Sequence, residues 1–208
     1  MNDARPARRM SPERRRDHLV ATALELYARM PPEQVTVDDV SRAADVSRAL
    51  FYRYFPNLPA LHVAALSTIV DELIDRISLP GSGSDVLPTE QLRDALDAFL
   101  DTVERHARAY VALLRSGSVI ATGETDALVD AVRRHIVALL VERSGLEDPA
   151  PLHLMTLRGW VALTEGALLS WLQERAVPRA ELVGWLIDQL TAMLAVTAAH
   201  DTPEGRPG

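Results

Sequence analysis

The sequence predicts an all-α protein with an N-terminal three-helix helix-turn-helix domain and a C-terminal helical bundle. Apolar residues recur at helical spacing along almost all of its 208 residues. No segment keeps the strict alternation of apolar and polar residues that marks a half-buried strand. Proline and glycine punctuate the helical pattern at positions typical of helix ends. The length suits one or two compact domains with a sizeable core.

The N-terminal helices are short and have clear end signals. Ser11 can cap a first helix that prolines 31 and 32 end. Thr36 opens a second helix with Asp39 three residues on, which is a capping-box arrangement. Ser47 can cap a third helix almost at once, and Pro56 ends it. Two short helices joined by so brief a turn indicate a helix-turn-helix, whose second helix can enter a major groove.

The remaining helices are longer and follow a connector. Asn57 can cap a helix that runs to about Ser78 and links two bodies. The segment 80–84, Pro-Gly-Ser-Gly-Ser, predicts a surface loop. Beyond it the pattern predicts helices at about 89–106, 107–116, 123–144, 149–174 and 178–200. We therefore expect an arm at 1–10, a DNA-binding domain at 11–57, a helical body at 58–200 and a disordered tail at 201–208.

Charge is distributed unevenly along a chain whose net charge is −7. Residues 1–60 hold 10 arginines and 8 acidic side chains, whereas residues 61–208 hold 12 and 21. A basic segment on an acidic body indicates a nucleic-acid partner. The arm carries Arg5, Arg8 and Arg9, which either reach a DNA groove or form part of a solvated tail. Without DNA the arm should be disordered.

Several kinds of chemistry are excluded by composition. The chain has no cysteine, and all its basic residues are arginine, so thiol catalysis, Schiff bases and lysine-dependent phosphate loops are absent. No zinc, di-iron or nucleophile-elbow motif occurs, so we expect no catalytic residue, no metal site and no cofactor. The longest stretch without a charged residue contains Pro56 and Pro59 and cannot span a membrane as a helix, which favours a cytoplasmic location.

The segment 36–61, TVDDVSRAADVSRALFYRYFPNLPAL, resembles the DNA-binding signature of the TetR (tetracycline repressor) family of bacterial regulators. The resemblance spans about residues 12–65. Its most specific part is Val46-Ser47 followed by the aromatic run 51–56, FYRYFP. The rest of the chain resembles the family in helix count and order.

The resemblance implies a homodimer that binds a double-stranded palindromic operator and leaves it when a small effector binds the body. Transferred by position, it assigns the DNA contacts to Thr36, Val37, Ser47, Arg48, Ala49, Tyr52, Arg53 and Tyr54. The two arginines can pair with guanine edges or phosphates, and the hydroxyls of Ser47 and Tyr52 suit phosphate oxygens. We expect Phe51 and Phe55 to pack inside the small domain.

The chain departs from the family pattern at three places. Asp45 stands at a turn position where glycine is usual, which predicts slight strain. Leu58 stands where the family commonly has a basic residue, so one expected contact with a DNA phosphate is missing. Arg42 or the arm can supply a contact in its place. Residues 30–32, Met-Pro-Pro, replace a glycine-centred link.

No motif marks an effector site, so the candidates are polar or aromatic residues within apolar helices. Glu165 is the most informative of them, because a buried carboxylate needs a partner, and Arg158 or a ligand cation could supply it. A mostly apolar pocket implies a mostly apolar effector. The pocket candidates are Tyr110, Arg115, His135, Arg158, Trp160 and Glu165.

The last two helices carry more apolar residues than one core face needs, which predicts that they also pair with a second copy. The interface candidates are Leu168, Trp171, Leu186, Leu190 and Met193. Two other functions remain open at this point: an architectural DNA-binding protein without a ligand, and an α-helical enzyme without a recognisable motif. The acidic body argues against the first, because such proteins carry a basic excess over much of their surface.

Overall fold

The computed structural model describes residues 10–78, 88–114 and 122–201, and these residues form helices without any strand. The all-α prediction is therefore confirmed. Outside the described residues lie 1–9 of the predicted arm, the loop at 80–84, Arg115 and 202–208 of the predicted tail, whose first residue, Asp201, ends the last helix. The α-helices are α1 (Pro12–Tyr27), α2 (Val37–Ala43), α3 (Arg48–Tyr54), α4 (Leu58–Ser78), α5 (Pro88–Arg105), α6 (Ala107–Leu114), α7 (Gly123–Ser144), α8 (Pro151–Glu174) and α9 (Arg179–Asp201).

Side-chain caps begin each of the first four helices, as the sequence predicts. In each cap a side-chain oxygen accepts a hydrogen bond from the backbone N–H three residues on, at 2.8–3.3 Å. The capping residues are Ser11, Thr36, Ser47 and Asn57. The Asp39 carboxylate also accepts from the N–H of Thr36 at 3.0 Å, which completes the capping box. Capping satisfies amide donors that a helix start otherwise leaves unpaired.

The turn between α2 and α3 has the strained backbone that Asp45 predicts. Asp45 has φ of 52°, in the left-handed region that favours glycine. Backbone bonds hold the turn closed, including one of 2.9 Å from the N–H of Val46 to the carbonyl of Ser41. A second departure, at 30–32, leads into a single-turn 3-10 helix over Pro32–Gln34.

Two hydrophobic clusters form the core, and α4 belongs to both. Leu61, Ala65 and Leu66 from its first half pack with α1, α2 and α3 in the N-terminal cluster. Leu73 and Ile77 from its second half pack with α5, α7, α8 and α9 in the body cluster. The connector predicted from the sequence is thus a helix buried at both of its ends.

The last helix is mainly apolar but contributes one face to this core. Among the described helices, α9 alone is long and apolar enough to cross a membrane, judged by length and composition. Its side chains Leu182, Val183 and Leu186 are at most 5% exposed and belong to the body cluster. Arg179 fixes its first turn to α5 through carboxylates of Asp97 and Asp101, at 3.1 and 2.6 Å.

A buried polar pair joins α1 to α4. The Tyr27 hydroxyl and Nδ1 of His62 share a hydrogen bond of 2.5 Å, and their rings stack with centroids 5.6 Å apart. Burial raises the pKa of Tyr27 and lowers the pKa of His62, so both groups are uncharged at neutral pH. Each therefore supplies the partner that the other needs inside an apolar cluster.

Tyr27→Phe should lower the free energy of unfolding by about 1–2 kcal/mol, because it leaves the buried His62 nitrogen without its partner. Urea unfolding followed by circular dichroism measures this loss. Tyr52→Phe is the matched control, because Tyr52 is 48% exposed. Equal midpoints for the two variants would show that the buried bond contributes nothing to stability.

Candidate nucleic-acid interface and internal cavity

The helix α3 buries one face and exposes the other. Phe51 and Phe55 are 0% and 2% exposed, with ring centroids 6.0 Å apart, so the prediction that they pack inside is confirmed. The opposite face is exposed and carries four of the residues assigned to DNA: Arg48, Ala49, Tyr52 and Arg53. We call these four residues the α3 face.

The other four assigned residues border the α3 face in two ways. Thr36 and Ser47 are exposed, and their hydroxyl oxygens already accept the capping bonds of α2 and α3. Val37 and Tyr54 are half-buried and pack against the N-terminal cluster. Of the eight residues assigned to DNA, the four of the α3 face therefore expose the most side-chain surface for contact with DNA.

One arginine of the α3 face has an acidic partner that the sequence analysis missed. Nη1 of Arg48 lies 3.0 Å from a carboxylate oxygen of Asp38 on α2, and both side chains are more than half exposed. The hydrogen bond with Tyr52 and the charge of Asp38 raise the pKa of Arg48. Arg48 must leave Asp38, or share it, before it can bind a phosphate or a base.

An elongated cavity lies inside the body, between α4, α5, α6, α7 and α8. Its volume is about 140 Å³, and its walls are almost entirely apolar. It reaches from Ile69 to Ile77 along α4, a length of about 12 Å at the helical rise per residue. The polar side chains among its lining residues are Thr102, His106, Tyr110, Arg143, Thr164 and Glu165.

Three of the six pocket candidates line this cavity: Tyr110, Trp160 and Glu165. Two do not. His135 bonds to the Ser78 hydroxyl at 3.0 Å instead, and Arg158 is exposed on the outer side of α8. The sixth candidate, Arg115, lies outside the described residues.

The partner of Glu165 is Arg133 on α7, not Arg158. Nε and Nη2 of Arg133 donate to the two Glu165 oxygens at 2.7–3.2 Å, and this bonding raises the pKa of Arg133. Arg158 is seven residues earlier on the same helix, about 10 Å along its axis, so it is too distant. Spacing within one helix cannot reveal a partner on the facing helix.

Four of the five dimer candidates lie in the core of the chain itself. Leu168, Trp171, Leu186 and Leu190 are 0–6% exposed in the chain's own core. The fifth, Met193, is half-buried against the same cluster. An apolar stripe faces the nearest apolar surface, and here that surface belongs to the same chain.

A different face of α8 and α9 is exposed and apolar. Met155, Trp185 and Val196 are 64%, 44% and 61% exposed, and small residues lie between them. A side chain built at Gly166 or Gly184 would meet nothing within 4 Å. We call this surface the outer α8–α9 face; the charged side chains of Arg158 and Asp188 are exposed on it, and its exposed apolar and small residues are Met155, Gly159, Ala162, Gly166, Trp185, Ala192, Ala195 and Val196.

Within the described ranges, no group of three or more histidine or acidic side chains could hold a metal ion. Of the polar residues that line the cavity, Glu165 is paired with Arg133 of α7, which is not part of the wall; the others are Arg143 and a set of hydrogen-bonding side chains. This arrangement can bind a small molecule but presents no nucleophile with an activating base.

Comparison with known proteins gives consistent relatives for both parts of the chain. The family described as "Bacterial regulatory proteins, tetR family" matches residues 19–64, and "Tetracyclin repressor-like, C-terminal domain" matches residues 88–193. A TetR-family transcriptional regulator from Streptomyces coelicolor is 35% identical, with a TM-score of 0.85 over 92% of this chain and 85% of that one.

Two further relatives extend this similarity. The transcriptional regulator MftR of Mycobacterium tuberculosis is 29% identical over 85% of this chain and 89% of its own length. The TetR-like regulator LfrR of Mycobacterium smegmatis, solved in complex with proflavine, has the same fold, with a TM-score of 0.58 at 22% identity over 86% of this chain and 96% of that one.

Asp38→Asn should tighten binding to duplex DNA about two- to fivefold, because DNA then no longer competes with the Asp38 carboxylate for Arg48. Fluorescence anisotropy with a labelled duplex measures the change. Asp45→Asn removes the same charge from the neighbouring turn without touching Arg48, and asparagine tolerates its left-handed backbone. If both variants gain equally, net charge rather than release of Arg48 explains the effect.

Proposed function

The chain belongs to the TetR family of bacterial regulatory proteins, and on that premise we propose that it is a homodimeric repressor released from a palindromic operator by a small, mainly apolar molecule. As a member of the family it is a DNA-binding transcriptional regulator, and its relatives are regulators rather than enzymes. We place it in the cytoplasm, where such a protein meets DNA. Residues 11–57 then form the DNA-binding domain and residues 58–200 the body.

The α3 face is the observation that carries the DNA-binding part of this proposal. Arg48 and Arg53 can donate two parallel hydrogen bonds to a guanine edge, which would give sequence specificity. Tyr52 can donate to a phosphate oxygen, which fixes register and carries little sequence information. The buried rings of Phe51 and Phe55 hold this face in place on the N-terminal cluster.

The outer α8–α9 face supports the dimer. A soluble monomer seldom exposes so many apolar and small side chains on two adjacent helices. Glycine and alanine at this face allow helices of a second copy to approach closely. Two-fold pairing through such a surface would present two α3 helices, as an inverted repeat with half-sites one helical turn apart requires.

The cavity supports an effector, because a mostly apolar space of this size can hold a ligand about as large as a benzene ring. The complex of LfrR with proflavine is a precedent among proteins of the same fold. We therefore assign the effector site to the cavity, with Tyr110, Trp160 and Glu165 in its wall.

Helix α6 is the physical route from the cavity to the DNA-binding domain. Tyr110 and Ala109 line the cavity, and Ala109 and Ala112 belong to the N-terminal cluster. The Arg108 guanidinium also donates to the carbonyl of Ala28 at the end of α1. A ligand that favours a shifted α6 would therefore shift the population away from the spacing that fits DNA, about 34 Å between half-sites.

Selection of bound fragments from a genomic DNA pool, at near-physiological salt, tests the proposal. Enrichment of an inverted repeat supports a dimeric, sequence-specific regulator. Binding without enrichment, with a steep loss as salt rises, would instead support an architectural protein. Transcription from a promoter that carries the enriched site then shows whether the protein represses.

Tyr52→Ala should weaken binding to the enriched site by about 1–3 kcal/mol while leaving the fold intact. Anisotropy titrations measure the loss. Tyr52→Phe keeps the ring and separates the hydroxyl's contribution from that of the ring. Unchanged affinity in Tyr52→Ala would remove this residue from the interface.

Ala162→Arg should convert a wild-type dimer into monomers with poor operator affinity, because it places an unpaired charge in the middle of the outer α8–α9 face. Sedimentation velocity reports the change in mass. Ala138→Arg makes the same substitution at an exposed position of α7 and should remain dimeric. A dimeric Ala162→Arg variant would place the interface elsewhere.

A further inference from the structure

Two buried polar atoms beside the cavity have no hydrogen-bond partner in the part of the chain that the structure describes. They are Nε2 of His106 and the hydroxyl of Tyr110, and both residues line the cavity. An unsatisfied polar atom in an apolar site costs folding free energy. Native proteins satisfy nearly all such atoms, so two at one place indicate a missing hydrogen-bonding partner.

The two side chains are adjacent on the surface of one helix. The N–H of Tyr110 donates to the carbonyl of His106 at 2.9 Å, so the residues are one helical turn apart. Residues at this spacing have Cβ atoms about 5–6 Å apart on the same face. Both polar atoms are shielded from solvent in this structure, so a single small polar group would bond to both when the two side chains turn toward the cavity. The rings of Tyr110 and Phe99 pack edge to face, with centroids 6.3 Å apart, which limits the freedom of the Tyr110 ring to turn away.

The surrounding charges select against a charged ligand group at this place. A carboxylate oxygen of Glu72 lies 3.6 Å from Nε2 of His106, and the charge of Glu165 acts on Tyr110. Arg105 and Arg133 pair with these carboxylates, so the charges beside the anchor are already balanced, and neither a ligand cation nor a ligand anion finds an unpaired partner there.

The two anchoring side chains are themselves uncharged at neutral pH. Burial lowers the pKa of His106 below its ordinary value, and the nearby Glu72 carboxylate offsets this only in part. Burial raises the pKa of the Tyr110 hydroxyl, and the negative charge of Glu165 raises it further. A neutral imidazole and a phenol form good hydrogen bonds with a group that can both donate and accept.

We propose that His106 and Tyr110 form the polar anchor of the effector site and bind one uncharged hydroxyl group of an otherwise apolar molecule, such as an alkylated phenol. This inference rests on the proposed role of the cavity as the effector site. It also gives the anchor a regulatory consequence, because Tyr110 belongs to α6, whose other face packs against the N-terminal cluster.

Arg143 is the alternative polar contact in the cavity. It lies beside the last turn of α4, where its Nη2 donates to the carbonyl of Ile77 at 2.9 Å. An anionic ligand would choose this guanidinium rather than the anchor. The two possibilities predict opposite ligand preferences and different sensitive residues.

Calorimetric titration of the full-length protein with three matched probes tests the anchor: 4-propylphenol, propylbenzene and 4-propylbenzoate. The phenol should bind on the order of tenfold more tightly than propylbenzene, because two hydrogen bonds are gained. The benzoate should bind more weakly than the phenol. Tighter binding of the benzoate, lost in Arg143→Leu, would overturn the proposal.

Tyr110→Phe should remove most of the preference for the phenol without weakening propylbenzene. Tyr54→Phe, a half-buried tyrosine of the N-terminal cluster, is the matched control and should keep the preference. Urea unfolding adds a readout that needs no ligand: Tyr110→Phe should be at least as stable as the wild type, because it deletes an unsatisfied hydroxyl. A clear loss of stability would show that this hydroxyl has a structural partner and would overturn the proposal.

Val132→Phe narrows the cavity and should weaken the phenol and propylbenzene together, with Ile136→Phe as a second variant if the first fails to fold. If the wild type binds the phenol no more tightly than propylbenzene, and Tyr110→Phe does the same, the anchor is overturned. The cavity would then remain as an apolar effector site. Binding that both narrowed variants leave unchanged would overturn the anchor and also place the effector site elsewhere.

Discussion

The burial of α4 in two hydrophobic clusters is the constraint on which the rest of the structure depends. Its first half completes the core beneath α3, and its second half forms a wall of the cavity. Tyr27 and His62 lock the first half to α1 by a buried hydrogen bond. Since a helix transmits displacement along its axis, the surface assigned to DNA and the space assigned to a ligand share one rigid element. Helix α6 supplies the second contact between them.

Polar groups in the apolar body divide into those that the fold satisfies and those that it does not. Glu165 and Arg133 satisfy each other across two helices, and the Trp160 indole donates to the carbonyl of Leu186 at 2.8 Å. His106 and Tyr110 differ, because each lines the cavity and keeps a buried polar atom without a partner. A protein that tolerates this cost at its cavity trades some stability for recognition.

The sequence was sufficient wherever the signal is local. Helix caps, the prolines that end helices and the paired rings of Phe51 and Phe55 depend on residues three to five apart, and the structure confirms them. Contacts between distant helices could not be read in this way. The Glu165 partner lies 32 positions away, and the Arg48 partner on α2 lies 10 away. The apolar stripes of α8 and α9 were correctly seen, but periodicity does not say which of two faces meets the chain's own core.

The shared cluster also limits how freely this DNA-reading unit can be transplanted. A chimera cut after residue 57 would remove Leu61, Ala65 and Leu66, together with the alanines that α6 contributes, and would expose the apolar surface beneath α3. The graft would have to include the first half of α4 and a surface that imitates α6. Substitutions in the body are therefore restricted at the positions of α4 and α6 that pack against the N-terminal cluster. The residues of a ligand site can change freely only where they do not touch that cluster.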